Sequence, residues 1–431
     1  MHSNRHGTAL LCLLGALAVA APARADDNPA LVETLQIMRD RGVIDEAKYG
    51  ELIAKNQAWE QSHPSFFSRL EWSGDLRGRL ENFWYEEDPF GVDTADRTRA
   101  RYRLRIGARA KVNEIVTAGF RLASGAANDN RSTNETLGQE DDFGYDPVFI
   151  DLAYIELAMP KRFLPEGTTV KSVIGKQTNP FLWKNGKDFM IWDQDITPEG
   201  IALQASGAPL ENVSLYGNAG YFIADENGSS NDPHVLGVQA GFGVTPLPSL
   251  EFGGRASYYD WASLNSAFLT RSADDGSLIT DTSDYRVVEL ASYLRLKTFE
   301  KWPILIYGQF AQNLKAQSPA GVSGDQDQGW GVGAEVGDKK RLMIGAGYYH
   351  LEANFSPAQY TDSDLFDGFT NRKGFLVYAA REIFANTELG LTFFSGDAIE
   401  DGAPFDIGTA TGTTPTSADR FRLQTDLMVK F

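Results

Sequence analysis

Arginine recurs at every second position through Arg97, Arg99, Arg101, Arg103 and Arg105, and the same phase continues after Gly107 with Arg109 and Lys111. Tyr102, Leu104, Ile106, Ala108 and Ala110 fill the alternate positions. In an extended chain successive side chains point to opposite faces, so one face is cationic and the other apolar. Arg77 and Arg79, Arg121, and Arg420, Arg422 and Lys430 hold the same phase in alternating segments of their own. Such a row suits binding rather than bond-making. Guanidiniums are permanently charged and planar; they attract anions and give carboxylates or phosphates two-pronged partners.

Groups suited to catalysis are scarce. The one cysteine, Cys12, lies in the apolar leader, and beyond it only His63, His234 and His350 remain, without a recognisable nucleophile motif. We therefore expect no enzyme, no metal centre and no cofactor. A net charge of −18 argues against nucleic acid as a partner. Carboxylates gather between the alternating segments. The stretch 179–199 carries Asp188, Asp193, Asp195 and Glu199 beside Phe181, Trp183, Phe189 and Trp192. If the aromatics anchor this stretch inside a lumen, its acids would face the arginine row and set a transverse field across a constriction. Glu140-Asp141-Asp142, Asp325 with Asp327, and Asp362 with Asp364 offer oxygen ligands to calcium, yet none has the spacing of a defined calcium loop. They read as solvated outer clusters or as bridges through divalent ions to lipopolysaccharide.

The elements that must position these residues begin with a leader. Arg5 precedes an apolar centre from Ala9 to Ala21, and Ala23-Arg24-Ala25 suits signal cleavage, so residues 1–25 read as a secretory signal. Within 26–64, Leu31, Leu35 and Met38 have helical spacing, Gly42 stops that helix and Asp45 caps a second one carrying Tyr49, Leu52 and Ile53. This helix pair is expected to be periplasmic. Residues 65–431 change to period two in sixteen segments: 69–85, 97–112, 115–124, 148–160, 169–178, 200–209, 212–224, 235–245, 250–263, 284–298, 303–314, 328–337, 341–353, 372–382, 385–396 and 420–431. Their connections alternate between short turns and long stretches rich in Asp, Asn, Gly and Ser.

That sorting predicts an all-β fold, a transmembrane antiparallel up-and-down barrel of about sixteen strands, with fourteen to eighteen as the range. Lipid forces closure, because an open strand edge would leave N–H and C=O groups without partners in hydrocarbon. Sixteen strands leave an aqueous lumen. Trp72, Trp84, Tyr85, Tyr258, Trp261, Trp302 and Phe431 suit the interfacial girdles. In such a barrel the last strand pairs with the first, and Arg77 lies at about the height of Arg103 and Arg105. A guanidinium on the lipid face costs roughly 2–4 kcal/mol at the midplane, so the arginine face must look inward. A secreted sandwich or solenoid would also alternate, but it has no reason to sort its loops. On that wall Asp75, Glu81 and Asp426 are in reach of several arginines and could neutralise them.

The helical start with Gly42-Val43-Ile44-Asp45, the strand Gly74-Asp75-Leu76-Arg77-Gly78-Arg79, the run from Arg97 to Arg105, and Gly175-Lys176-Gln177-Thr178-Asn179-Pro180-Phe181, followed by Asp193-Gln194-Asp195 and Pro198-Glu199-Gly200, resemble the putative porins of Gram-negative outer membranes. The resemblance extends in style to the phosphate-selective porins, although no loop carries a lysine cluster. It implies an integral outer-membrane protein with both termini in the periplasm, passing small hydrophilic solutes by diffusion, without catalytic residues or cofactor. The arginine wall adds an expected preference for anions. A closed barrel acting as anchor or adhesin, and a specialised channel for anionic oligomers, are the competing functions. Outer-membrane lipid, lipopolysaccharide, the barrel-insertion machinery and two further copies in a homotrimer are the expected partners. Phe431 is expected to form part of the signal that the insertion machinery reads. Deleting Phe431 should lower the amount of heat-modifiable barrel in the membrane fraction; unchanged levels would remove the sorting role.

Overall fold

The computed structural model describes residues 29–62, 70–85, 96–126, 129–139, 143–183, 188–229, 231–274, 285–299, 301–317, 324–400 and 419–431. The leader and Glu140-Asp141-Asp142 lie outside the described residues. Two compact units divide between Glu71 and Trp72. In the first, helices α1 (Pro29–Asp40) and α2 (Glu46–Ser62) sit where the periodicity places them. Gly42, at φ +69°, lets the Val43 N–H turn back to the Met38 carbonyl at 2.8 Å and ends α1. Asp45 Oδ1 accepts the Lys48 N–H at 2.7 Å and caps α2.

The second unit is a closed antiparallel barrel. Its first half is built from β1 (Leu70–Tyr85), β2 (Arg97–Lys111), β3 (Val116–Ser124), β4 (Glu135–Thr136), β5 (Val148–Ala158), β6 (Thr169–Lys176), β7 (Glu199–Leu210) and β8 (Val213–Ile223). The second half is built from β9 (His234–Leu247), β10 (Leu250–Ala262), β11 (Tyr285–Leu296), β12 (Ile304–Asn313), β13 (Gln328–Asp338), β14 (Leu342–Leu351), β15 (Arg372–Phe384), β16 (Thr387–Ala398) and β17 (Arg420–Lys430). Each long strand pairs with its neighbours in the chain, and β17 closes on β1 from Asp75 opposite Lys430 to Tyr85 opposite Arg420. Phe431 continues that seam: it exchanges backbone hydrogen bonds with Gly74 at 2.8 and 3.0 Å. The sixteen long strands match the sixteen alternating segments.

The extra strand, β4, is two residues long and too short to show a period. Its presence follows from unequal neighbours. β3 pairs with β2 only from Arg105 to Lys111, so the upper part of β2 needs other partners. Thr136 and Glu135 supply them, opposite Arg101 and Tyr102.

Burial separates the two faces. Leu76, Leu80, Leu203, Leu290, Val332 and Leu427 are exposed on the outside, whereas Arg79, Glu81, Arg103 and Arg422 are buried on the inside. An outer surface carrying one such apolar row on strand after strand fits hydrocarbon and not water. Trp72, Trp84, Trp302 and Phe431 are exposed like girdle residues. Two expected girdle aromatics face the other way. Trp261 is 0% exposed and packs on Trp192 with ring centroids 5.6 Å apart, and Tyr85 lines an internal cavity. Being near a strand end does not choose a face; the parity within the strand does.

Gly175, in the Gly-Lys-Gln segment, has φ +115°, and a Cβ there would lie 2.3 Å from the Ala153 carbonyl oxygen on β5. No rotamer relieves a clash with backbone. Gly175→Ala should cost about 1–3 kcal/mol of barrel stability, seen as an earlier urea midpoint of the heat-modifiable band; an unshifted midpoint would mean the strand simply moves aside.

Candidate functional site

The wall at the seam is built from the inward faces of β17, β1, β2 and β3. Arg79 forks onto Asp426 at 2.6 and 2.8 Å and reaches Asp364 at 2.8 Å. Asp75 bridges Arg103 and Arg105, each at 2.8 Å. Glu81, fully buried, takes Arg99 at 2.7 Å together with Arg422. Arg422 also holds Asp364 at 3.0 Å, and Arg420 holds Asp367 at 3.0 Å. Below and beside this cluster Arg121 pairs with Asp151, Arg109 lies 3.8 Å from Glu156, and Lys111 and Lys430 are exposed. The row is therefore not an open ladder of free cations. Its middle is an ion-paired network, because guanidiniums removed from bulk water need carboxylates close by.

Arg77, Arg97 and Arg101 differ from the rest. Arg77 donates to Asn134 Oδ1 at 2.6 Å and, among the described residues, has no carboxylate within 4.0 Å. Arg101 donates to Ser132 Oγ at 3.0 Å and reaches Glu81 only at 3.9 Å. Arg97 is exposed at the start of β2.

Residues 177–183 and 188–198 fold inward. Phe181, Phe189, Met190, Ile191 and Trp192 are buried against Tyr259, Trp261, Tyr285, Tyr349 and Leu376 from the inner faces of β10, β11, β14 and β15. Fixed polar contacts seat this plug: Arg255 and Gln239 donate to the Phe181 carbonyl at 2.8 and 3.0 Å. The four acids of the stretch do not act together. Asp195 reaches Arg105 at 3.1 Å and Arg103 at 3.8 Å. Asp193 instead accepts the Ser363 N–H at 2.7 Å. Asp188 points to the far wall, where Arg255 donates to it at 3.1 Å and Gln309 at 2.9 Å. Glu199 is the first residue of β7 and pairs with Lys176 at 2.8 Å, largely exposed. So Asp188 and Glu199 do not face the arginine wall, because Arg255 and Gln309 hold Asp188 across the lumen and Glu199 already belongs to β7.

Sequence reasoning missed two further segments. Residues 352–371 also fold in, bringing Asp362 and Asp364 into the lumen rather than to a solvated outer cluster. Phe355, Tyr360, Leu365, Phe366 and Phe369 in that stretch carried the signal, since a hydrated loop has little use for five large apolar residues. From residues 125–147, Arg131 donates to the carbonyls of Ala358 and Gly368, both at 3.1 Å, and its own carbonyl accepts Ser363 Oγ at 3.1 Å. Nothing in the periodicity marks Arg131.

The three segments and the wall enclose two cavities. The inner one, about 200 Å³, is lined by Arg77, Arg79, Arg103 and Arg131 and by five aspartates, among them Asp193, Asp195, Asp362 and Asp364. The other, about 290 Å³, lies toward the long-loop end of β1 and β2; among the described residues its lining holds six arginines and two acids, Asp129 and Asp367. Arg131 and Ser363 line both and stand between them. Burial, then the nearby Asp362, holds the Asp193 carboxyl well above the usual range, and burial with the charge of Asp364 pushes Asp362 up to about 8. Burial acts the same way on Asp195, but Arg103 and Arg105 outweigh it and hold that carboxyl down. The inner cavity is thus close to charge balance, whereas the outer one is cationic.

A family model described as a putative porin matches residues 85–277 and 265–431. Among curated proteins nothing matches the chain. Of solved structures, OprB of Pseudomonas putida, determined at high pH, is similar with a TM-score of 0.51 and 11% identity over 86% of this chain and 97% of that one. A triple mutant of the Rhodopseudomonas blastica porin aligns over 84% of this chain and 100% of its own, with a TM-score of 0.42 and 10% identity.

The Arg255 cluster supplies a test of plug docking. Arg255→Leu removes the partner of two buried carboxylates, Asp188 and Glu289. It should cost about 3–5 kcal/mol, and limited proteolysis in intact detergent-solubilised barrel should then cut within the plug. Unchanged resistance would mean the aromatic contacts alone seat the plug.

Proposed function

The chain belongs to the putative porin family, and on that premise we propose that it forms a water-filled channel in the Gram-negative outer membrane through which small hydrophilic solutes diffuse passively, with anions favoured. The observation that carries the preference is the outer cavity, whose lining among the described residues sets six arginines against two aspartates. A low-dielectric wall concentrates such a field and raises the local concentration of the opposite charge. Most of the row from Arg99 to Arg105 is spent on ion pairs, so selectivity falls to the cations of the outer cavity that are least paired among the described residues, Arg97 and Arg101, rather than to the full ladder.

A solute entering by the long loops meets the cationic cavity first, then the Arg131 and Ser363 partition, then the charge-balanced inner cavity. Strong retention at the inner step would slow passage, and near balance avoids it. In this reading residues 1–25 serve as a secretory signal, residues 26–64 as a periplasmic segment, and both termini lie on the periplasmic side. The outer apolar face meets lipid and lipopolysaccharide, Phe431 is offered to the insertion machinery, and a homotrimer is the working assembly. The barrel-filling aromatic plug supports one second reading, a closed barrel that serves as an anchor or adhesin.

Reversal potentials under a KCl gradient in a planar bilayer separate these readings. The native protein should favour chloride, and Arg97→Gln with Arg101→Gln should reduce that preference, by roughly the several-fold that loss of two charges lining a low-dielectric cavity produces. A cation-favouring potential would assign entry to the acidic loops. Absence of conductance would assign the protein to the closed class.

A further inference from the structure

The outer cavity holds more than charge. Phe83, Tyr85 and Phe369 line it together with the arginines, and guanidiniums lie over all three rings. The Arg99 guanidinium lies over the Phe83 ring at 5.1 Å, and Arg420 lies over Phe369 at 4.3 Å and Tyr85 at 5.9 Å. Phe83 and Tyr85 are themselves stacked, 6.3 Å apart with an interplanar angle of 8°. Attraction of chloride needs none of these rings. Nor does a saturated sugar gain from them, since guanidiniums occupy the ring faces.

We infer that this cavity is a binding station for a planar aromatic carboxylate. A guanidinium stacked on a ring of the protein still presents its other face, and Arg99, 19% exposed, lines the cavity over Phe83. A flat anion can extend the stack through its ring while its carboxylate is forked by a neighbouring guanidinium. Arg97 is the neighbour best placed for the fork: it lies on the same face of β2 as Arg99, it lines the cavity, and it is exposed. Among the described residues the acids around the cavity have partners of their own. Asp367 is held by Arg420 and Arg422, Glu81 by Arg99 and Arg422, and Asp129 accepts the Arg131 backbone N–H at 3.0 Å.

The inference rests on the anion-channel reading and adds the solute class to it. Calorimetric titration of the full-length protein in detergent, at constant ionic strength, with sodium benzoate, sodium acetate and neutral benzamide tests it without requiring conductance. Benzoate should bind saturably and about tenfold more tightly than acetate, the scale of one desolvated cation–π contact, with benzamide weaker than both. Tyr85→Ala should bring benzoate down toward acetate and leave acetate unchanged, and Arg97→Gln should weaken both carboxylates. Heat-modifiable mobility confirms that each variant is folded. Benzoate binding no tighter than acetate, or unaffected by Tyr85→Ala, overturns the inference; with a chloride-favouring reversal potential in hand, that result would leave the anion channel standing. Glucuronate binding more tightly than benzoate would replace the aromatic class by an anionic sugar and equally overturn it.

Discussion

The arginines of β1, β2 and β17 can face only the lumen, since a guanidinium against hydrocarbon costs roughly 2–4 kcal/mol at the midplane, and that one penalty sets the parity of every strand at the seam. With parity set, Leu76, Leu80, Leu427 and Val429 fall outward and Asp75, Glu81 and Asp426 fall inward beside the cations. The seam is thus closed by two conditions that agree. Backbone groups pair from Asp75 to Tyr85 because lipid offers no water, and side chains pair because a narrow lumen offers too little.

Crowding of like charge then calls for more acid than the strands carry. Arg79, Arg420 and Arg422 draw Asp364 and Asp367 inward from residues 352–371, and Arg103 and Arg105 draw Asp195 from residues 177–198. A second force holds the same segments from behind. Aromatic burial seats Phe181, Phe189 and Trp192 against the inner faces of the opposite strands. The lumen is divided accordingly, with an apolar filling on one side and the two charged cavities along the arginine wall. Burial keeps the Asp193 and Asp362 carboxyls neutral more readily than Asp195, which sits directly on Arg103 and Arg105. Four arginines and five aspartates around the inner cavity can in this way come close to balance.

Strand existence and face were legible in the sequence for a physical reason: a bilayer on one side and water on the other impose period two over ten residues or more, and the alternation Arg97 to Lys111 can be satisfied only one way. The helix pair was legible too, because Gly42 and Asp45 act through backbone groups within a few residues of themselves. Asp188 and Glu199 show where such reading stops. Both share a stretch with Asp195, yet one crosses to Arg255 and the other enters β7, and no local pattern distinguishes them. Trp261 was misplaced because proximity to a strand end says nothing about parity.

What the amino-acid sequence determined by itself was therefore everything governed by a repeating environment: sixteen strands, the apolar outer face, the inward arginines and the sorting of short and long connections. What only the tertiary structure decided was everything governed by contacts between segments far apart in the chain. Arg131 meeting Ala358 and Gly368, Asp364 joining Arg79 to Arg422, and Asp195 joining the wall to Thr133 are each single encounters without a period. A repeated constraint writes itself into sequence as a pattern. A unique contact depends on where the closed barrel brings two loops together, and that place exists only once the chain has folded.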